Sequence, residues 1–351
     1  MGMGLDMRTG AAYRGSGHPG QPVDRNPGAV GRVPCEEKPE RLRVRLAGLV
    51  WEGTWELVRW LPEALVFAAA DLAGRVAHRF AHGLRTRVRR NLTRVVPDDE
   101  LDETVREAFR SYARYWVEAF RCADLDPSDL DRRTTTAGFE HLDGALQSGR
   151  GIIVLLAHHG SWDLAARWAE SHGYHLAVVA EVLRPRRLFS KFVALREAVG
   201  LEVVPLAEGR SIATRLARVL AANHLVGLLS DRDLSSSGPV VTLFGERSRM
   251  PRGPVVLAQR TGAAIVPITM LQLPGARWHL QVLPAVDVLG LEVAEAVQRC
   301  AEAIEQLVRL APEQWHAFSP VFLADQEASQ VRAVPQASPA TPEGTLGGDP
   351  E

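Results

Sequence analysis

The sequence predicts an α/β fold, in which a mostly parallel central sheet is flanked by helices and follows an N-terminal helical segment. Two observations indicate this fold. From about residue 150, short continuous apolar runs such as residues 151–157 alternate with amphipathic segments, which is typical of βαβ units whose strands are buried on both faces. Before residue 125, apolar side chains recur every three or four positions, which is the spacing of one helix face.

The N-terminal elements are predicted to be helical. Residues 42–82 carry the helical spacing and contain Pro62, so we expect two helices that meet near that proline. Residues 72–97 are rich in arginine and contain no acid. A further helix is expected at 98–123, because it opens with acidic residues, which the helix dipole favours in a first turn.

The elements after residue 150 alternate between strand and helix. Strands are expected at residues 151–157, 175–180, 201–206, 225–230, 263–271 and 278–284. Helices are expected at residues 161–172, 187–199, 210–222 and 291–310, and another begins near Gly253 and Pro254. Residues 239–244 fit either a strand or an extended arm. In open α/β sheets, ligands bind at the carboxyl ends of the strands, so site residues are sought there.

Composition excludes several classes of protein. The chain of 351 residues is 46% hydrophobic and 24% charged, which excludes a wholly disordered or fibrous protein. Its formal net charge of −1 gives no general attraction to nucleic acid, so no nucleic-acid partner is expected. The three cysteines lie far apart, which excludes a disulfide framework. We expect no transmembrane helix, since no apolar run reaches about 18 residues, and no signal peptide is recognised at the start.

The two ends of the chain differ from its middle. Residues 1–40 and 325–351 show no hydrophobic period, so we expect both to be disordered tails. Residues 41–324 are predicted to form a single domain. Within it we expect a helical part at 41–125, an α/β core at 150–284 and a C-terminal helix at 291–310.

Residues 157–163 lie where a predicted buried strand ends and a helix begins. If His158 lies on the loop before the helix, Asp163 can turn back towards it and bond one ring nitrogen, which leaves the other nitrogen as a base. The alternative is a helix start capped by Ser161, with His158 and His159 incidental to it. No metal is expected, because these residues lack a further matched set of ligands.

An ordered set of longer motifs sharpens this interpretation, and it resembles a known family. The motifs are VRRNLTRVVPD (88–98), LLAHHGSWDLA (155–165), AEVLRP (180–185), LREAVGLEVVPL (195–206), LLSDRDLSSSGPVVTLFGE (228–246) and RMPRGPVVLAQRTGAAIVPI (249–268). Together they resemble phosphatidylinositol mannoside acyltransferases, a branch of the lipid A lauroyl/myristoyl acyltransferase superfamily. The resemblance covers about residues 45–320.

The resemblance implies a role for each residue of the dyad and for a nearby pair. His158 would be the general base that takes a proton from a mannose hydroxyl, and Asp163 would orient it. Glu181 and Arg196 match positions that line the acceptor or acyl pocket; the alternative is a surface ion pair of little consequence. His159 stands where a small residue is more usual, and either intrudes on the site or faces solvent.

A second group of acids follows a later strand. Asp231 and Asp233, with Arg232 between them, match an acid pair of the related branch and are expected to bind substrate. Some mannoside acyltransferases have Glu-Arg-Asp-Leu there, so the shorter side chain of Asp231 shifts its charge by about one methylene. The alternative is simple turn chemistry, since Asp favours turns.

Two basic or aromatic segments are candidates for contact with substrate or membrane. Arg249 and Arg252 precede a helix start, which suits the phosphate of coenzyme A or of a lipid headgroup; the alternative is a helix start alone. Trp51, Trp55 and Leu61, with their apolar neighbours and the arginine-rich stretch after them, suit an interfacial helix on anionic lipid. Otherwise this face packs on the domain.

The function expected from the resemblance is O-acylation of a mannose hydroxyl on phosphatidylinositol mannoside, on the cytoplasmic face of the cell membrane. Acyl-CoA, or an acyl carrier protein, would be the donor, and no cofactor is expected. The chain has no Gly-x-Ser-x-Gly motif, which favours direct attack in a ternary complex over a serine acyl-enzyme. The alternatives are another glycolipid acceptor, hydrolysis of acyl thioesters, or a non-catalytic lipid-binding relative.

Overall fold

The computed structural model describes residues 53–180, 186–206, 211–233 and 236–327. The expectations for the N-terminal tail, for Trp51 and for Glu181 fall outside these residues, as does nearly all of the expected C-terminal tail. Within the described part of the chain, every helix is too short or too polar to cross a bilayer.

The centre of the fold is a seven-stranded sheet. Its strands are β1 (Thr134–Ala137), β2 (Ile152–Leu156), β3 (Leu176–Ala180), β4 (Glu202–Pro205), β5 (Leu225–Leu229), β8 (Ala264–Leu273) and β9 (Arg277–Val282). They lie in the order β1–β9–β8–β2–β5–β3–β4, and every pair is parallel except β8 and β9. This confirms the predicted fold class. The short, polar strand β1 was not predicted.

Residues 239–244 contain a strand that belongs to a small second sheet. Within the described residues, strand β6 (Val240–Leu243) pairs with β7 (Glu246–Arg249) alone, in an antiparallel hairpin outside the main sheet. The strand interpretation of this segment is therefore correct, and the pair lies beyond the βαβ pattern of the core.

Helices cover both faces of the sheet. They are α1 (residues 53–60), α2 (Glu63–Phe80), α3 (His82–Leu92), α4 (Asp98–Arg121), α5 (Pro127–Arg133), α6 (Phe139–Leu146), α7 (Trp162–Ser171), α8 (Arg186–Ala198), α9 (Ser211–Ala221), α10 (Gly253–Thr261) and α11 (Val293–Arg309). The predicted helices after residue 90 agree with these bounds to within a few residues, and Pro62 separates α1 from α2 as expected.

The central strand β2 shows why the sheet is buried on both sides. Ile153 and Leu155 face one core, which they share with residues of α9, α10 and α11. Ile152 and Val154 face the opposite core, which includes residues of α6 and α7. Because side chains alternate along a strand, a continuous apolar run is what two covered faces require.

The N-terminal helices pack on α4, and this packing corrects one expectation. Trp55 is 4% exposed; its ring stacks on Phe120 at 4.9 Å and contacts Phe192 at 5.3 Å. Leu61 is half-buried against Val117 and its neighbours. Trp55 therefore belongs to the core, and the prediction that it contacts a membrane is wrong.

Candidate active site

The parallel pairing of β2 and β5 places His158 beside Asp231. Leu156 is the register partner of Leu229. Each strand then continues by two residues, to His158 and to Asp231, so the two side chains leave adjacent strands at the same level of the sheet's carboxyl edge. The backbone supports this arrangement, because the amide of Ser230 donates to the carbonyl of Leu156 at 2.8 Å.

The two side chains are joined by a hydrogen bond. His158 Nδ1 donates to Oδ1 of Asp231 at 2.7 Å, and Trp315 Nε1 donates to Oδ2 of the same carboxylate at 3.0 Å. Asp231 is 2% exposed, whereas the His158 side chain is 20% exposed. With Nδ1–H donated, the neutral imidazole carries its lone pair on Nε2.

Burial of Asp231 and the residues around it have opposite effects on the pKa of its carboxyl group. Burial raises the pKa of this carboxyl, but the electrostatic interaction with the His158 ring and the hydrogen bonds from His158 and Trp315 outweigh burial and lower the pKa to about 2. Asp231 is therefore an ionised, fixed carboxylate at neutral pH. Such a group holds an imidazole in one tautomer and stabilises its protonated form.

Asp163 makes a different set of contacts from the one predicted. Its Oδ1 accepts from Arg196 Nε at 2.8 Å, and its Oδ2 accepts from Tyr115 Oη at 2.7 Å and Arg196 Nη2 at 3.2 Å. The expected hydrogen bond from His158 to Asp163 is wrong: the ring nitrogen assigned to Asp163 is taken by Asp231. Asp163 lies in the first turn of α7 and is committed to α4 and α8 instead.

Tyr115, Asp163 and Arg196 form a buried cluster that connects α4, α7 and α8, and the charges of Asp163 and Arg196 balance each other. Burial lowers the pKa of Arg196, but the adjacent Asp163 more than offsets it and the pKa is raised overall. Burial, together with Asp163, holds the pKa of Tyr115 well above its usual range. Arg196 is therefore a partner of Asp163 and borders the cavity described below. The alternative interpretation, a surface ion pair of Arg196 with Glu181, involves a residue outside the described part of the chain.

Gly160 shapes the loop that carries His158. Its φ is +63°, and a Cβ there would lie 2.1 Å from the carbonyl oxygen of Met270. Its amide donates to Gln314, and the next amide, of Ser161, donates to Met270. Only glycine allows both the left-handed backbone and this close approach, so the loop is fixed against β8 and residue 314.

His159 points into the protein, so neither expectation for it is correct. It is 1% exposed; its Nε2 donates to the carbonyl of Ala311 at 2.9 Å, and its Nδ1 accepts from the hydroxyl of Thr269 at 2.9 Å. Burial lowers the pKa of His159 to about 4, so the ring is neutral near pH 7. His159 ties the site loop to the segment around residue 311.

A cavity of about 510 Å³ is lined by His158 and lies between the sheet and helices α4, α7 and α8. The sheet contributes alternate residues such as Val154, Leu176 and Leu225, which share one face. Tyr115, Asp163 and Arg196 also border this cavity. Its lining is mainly apolar, and its size suits a small ligand or acyl chain.

A second cavity, of about 470 Å³, lies on the other face of the sheet, beneath α9 and α10. It is lined by the opposite set of strand residues, Leu228 and Ser230, and also reaches His158. His158 and Arg232 border both cavities. We refer to these as the first cavity and the second cavity.

His316 was not predicted to be a site residue. It lines the first cavity, and its backbone amide donates to the carbonyl of His158 at 2.7 Å. The Ser111 hydroxyl donates to Gln272, so its oxygen accepts from His316 Nε2. The buried Nδ1 has no hydrogen-bond partner within the described structure. Burial lowers the pKa of His316 well below its usual range, so Nδ1 is a neutral acceptor.

The remaining predicted residues divide into cavity-lining and structural groups. Arg232 lies at the junction of the cavities, and Asp233 and Arg252 line the second one. Asp233 also accepts the amide of Gly238 at 2.6 Å, which is turn chemistry of the predicted kind. Arg249 lines neither of these two cavities and donates to the carbonyl of Gly238 at 2.9 Å, so it stabilises the hairpin.

The geometry suits deprotonation of a hydroxyl. The His158 imidazole, fixed by a buried carboxylate, lines two mainly apolar cavities, where Nε2 of its unprotonated form can accept a proton from a bound alcohol. The described residues hold no group of three or more side chains suited to bind a metal ion. Asp231 and His316 were not predicted to be partners of His158. The sequence feature that could have located Asp231 is that both His158 and Asp231 follow the end of a buried apolar strand by two residues.

Comparison with known proteins is consistent with this chemistry. The model of the bacterial lipid A biosynthesis acyltransferase family matches residues 35–324. The phosphatidylinositol mannoside acyltransferase of Mycolicibacterium smegmatis is 38% identical over 291 residues, which are 81% of this chain and 95% of that protein. That of Mycobacterium tuberculosis is 38% identical over 282 residues, 79% of this chain and 88% of that protein. The lipid A biosynthesis palmitoleoyltransferase of Escherichia coli is 22% identical over 275 residues, 76% and 88% of the two chains.

Proposed function

The chain belongs to the bacterial lipid A biosynthesis acyltransferase family and is an acyltransferase, and from this premise we propose that it acylates a mannose hydroxyl of phosphatidylinositol mannoside. The acceptor is proposed from the names of the relatives that are 38% identical over most of the chain. The single observation that supports the mechanism is the hydrogen bond from His158 to the buried Asp231, at the junction of two apolar cavities.

In the proposed reaction, His158 Nε2 takes the proton of the mannose hydroxyl while its oxygen attacks the thioester carbonyl of the donor. The carbonyl carbon forms a new bond to the sugar oxygen, and the bond to sulfur breaks. The protonated His158 then returns its proton to the departing thiolate. Asp231 stabilises the imidazolium during this exchange, and general-base catalysis of this kind contributes about 10²- to 10⁴-fold in rate.

Two further groups support the reaction in this proposal. Arg232 borders both cavities beside His158, and its guanidinium supplies positive charge for the oxyanion that forms on the thioester carbonyl. The neutral Nδ1 of His316 accepts a hydrogen bond from a substrate hydroxyl. We propose acyl-CoA as the donor, with no cofactor, and place its acyl chain in the first cavity because that cavity is mainly apolar and is lined by His158.

We also propose that the enzyme works at the surface of an anionic membrane, on its cytoplasmic face. Six large apolar side chains of α1 and α2 are exposed: Leu57, Trp60, Leu65, Leu72, Val76 and Phe80. Those on α2 are spaced by seven, four and four residues, so they form one stripe on the side away from the buried Val66 and Ala70. Arg75 and Arg79 of α2 lie beside this stripe, and the next helix, α3, carries four further arginines, as expected for an interfacial helix pair.

The test is incubation of the purified protein with labelled acyl-CoA and mannosylated phosphatidylinositol. Labelled acylated glycolipid is the expected product, and His158→Ala should abolish it while the melting temperature stays near that of the wild type. Free fatty acid alone would mean that water is the acceptor. Transfer to a different glycolipid, in preference to the mannoside, would overturn the proposed acceptor, and lipid binding without any turnover would overturn the enzyme mechanism.

A further inference from the structure

The proposed reaction uses only one of the two cavities that meet at His158. The first cavity holds the transferred chain, and the second, of about 470 Å³, is left without a role. The cavities lie mainly on opposite faces of the sheet, because Leu225 lines the first cavity and belongs to one core, whereas Leu228 lines the second and packs against the other. Val179 and Leu229 border both cavities. The wall between them is therefore one sheet thick.

The lining of the second cavity favours a hydrocarbon chain. Its interior is formed by Leu216 and Leu257, which are 4% and 6% exposed, and by Leu228 and Val256, which are half-buried. Leu206 also borders it and is 46% exposed, so apolar surface continues from the interior to solvent. Burying such surface against an acyl chain is favourable by about 25 cal/mol for each Å² of apolar area.

The described lining of the second cavity contains few charged side chains. Among the described residues, the charged members of this lining are Arg232, Asp233, Arg252 and Arg260, besides His158. Three of the four are cationic, so the cavity combines an apolar interior with a net positive charge. This combination suits a chain that carries an anionic group, as the acyl chains of a phospholipid do.

We propose that the second cavity binds a second long acyl chain while the first holds the chain being transferred, so that the two lie on opposite faces of the sheet. The inference rests on the proposed function and adds a lipid-binding site to it. Such a chain has two sources: the acceptor lipid, whose phosphatidyl group carries its own acyl chains, or a free fatty acid. In both cases the site binds the same chemistry, a hydrocarbon chain with an anionic end.

The experiment compares variants that fill one cavity each. Val256→Phe fills the second cavity and Ala169→Phe fills the first, where Ala169 is a half-buried lining residue of α7. Val240→Phe is the matched control, because Val240 lies on the outer hairpin, 37% exposed, and lines neither cavity. Ile212→Trp, on α9, is a second variant that fills the second cavity if Val256→Phe does not fold.

Binding is measured first, as the stoichiometry of palmitate on the purified protein by titration calorimetry. Two palmitates per chain are expected for the wild type and the control, and one for each filled variant. A wild-type stoichiometry of one, unaffected by Val256→Phe or Ile212→Trp, would overturn the second site. This measurement does not depend on turnover, so it stands even if the proposed transferase activity is not found.

Turnover then distinguishes the sources of the chain. If the acceptor lipid supplies it, Val256→Phe should lower kcat/KM for the diacylated mannoside at least about tenfold more than for a water-soluble methyl mannoside. If a free fatty acid supplies it, both acceptors should respond alike and added palmitate should stimulate the wild type but not the variant. An equal loss with both acceptors and no response to palmitate would assign the cavity to the donor and overturn the proposal.

Discussion

Nδ1 of His158 lies 2.7 Å from Oδ1 of Asp231, although 73 residues separate them in the chain. Their proximity follows from the parallel register of β2 and β5, which brings the ends of both strands to one level. Trp315 completes the arrangement from a third segment. The base and its carboxylate are thus held by the sheet itself.

Replacing Asp231 should reduce catalysis with little effect on substrate binding. Asp231→Asn removes the charge that stabilises the imidazolium and allows the wrong tautomer, so kcat should fall by about 10²- to 10⁴-fold. Asp231→Glu keeps the charge and should retain more activity than the amide. Steady-state kinetics with acyl-CoA and the mannoside measure both. Asp287→Asn, at a carboxylate whose side chain is 78% exposed, is the control; equal kcat for Asp231→Asn and the wild type would contradict the assignment.

Replacing Arg196 should act mainly on stability. Its loss leaves the carboxylate of Asp163 buried without its cation, which costs about 3–5 kcal/mol in the free energy of unfolding. Urea denaturation measures this change. The double variant Asp163→Asn with Arg196→Met should be less destabilised than the sum of the two single changes, because it removes both charges together. Additive effects would show that the two side chains do not interact.

Stability should fall as the pH drops from about 6.5 to about 4, because His159 is buried in its neutral form. Its folded pKa, about 4, lies below its unfolded value near 6.5, so the unfolded chain binds the proton first. The stabilisation is complete above the unfolded pKa and is lost as the pH falls towards the folded one, by about 3 kcal/mol at most. Urea unfolding across this range measures the slope.

His159→Gln should reduce the pH dependence of the free energy of unfolding between pH 6.5 and 4, without abolishing it. His316 has its pKa lowered by burial too, so it contributes to the slope in the same direction. A slope identical to that of the wild type would contradict the role given to His159.

The exposed stripe on α2 should control attachment to lipid. Changing Leu72, Val76 and Phe80 together to Ser removes apolar side chains that are 62%, 47% and 69% exposed, so binding to vesicles containing anionic lipid should weaken at least about tenfold. Sedimentation with vesicles at two salt concentrations measures this effect. Leu289→Ser, at an exposed leucine far along the chain, is the matched control. Retained binding by the triple variant would reject this surface.

The fold was predictable where a local pattern determines the structure. The run at 151–157 indicates a strand with both faces covered, and acids at 98–100 indicate a helix start; both occur. Strand β1 was missed because its sequence, Thr-Thr-Thr-Ala, contains no apolar alternation and gains its pairing from β9. Trp55 was misplaced because an apolar stripe on a helix does not reveal whether protein or lipid will cover it.

The candidate site was predictable in position and partly in its partners. His158 was located by the end of an apolar strand, but its carboxylate was sought five residues away, at Asp163, when tertiary pairing supplies it from Asp231. The contact of Trp315 with Asp231 depends on how the chain after α11 returns across the sheet, which leaves no local signal in the sequence.

The return of the chain at residues 314–316 has a consequence for how the protein would respond to cleavage after α11. These residues accept the amide of Gly160, donate to Asp231 through the Trp315 indole and bond the backbone of His158. A proteolytic cut between α11 and residue 314 would leave His158 and Asp231 on their paired strands but would remove the third segment that orients them. The nicked protein would keep most of its sheet and lose most of its activity.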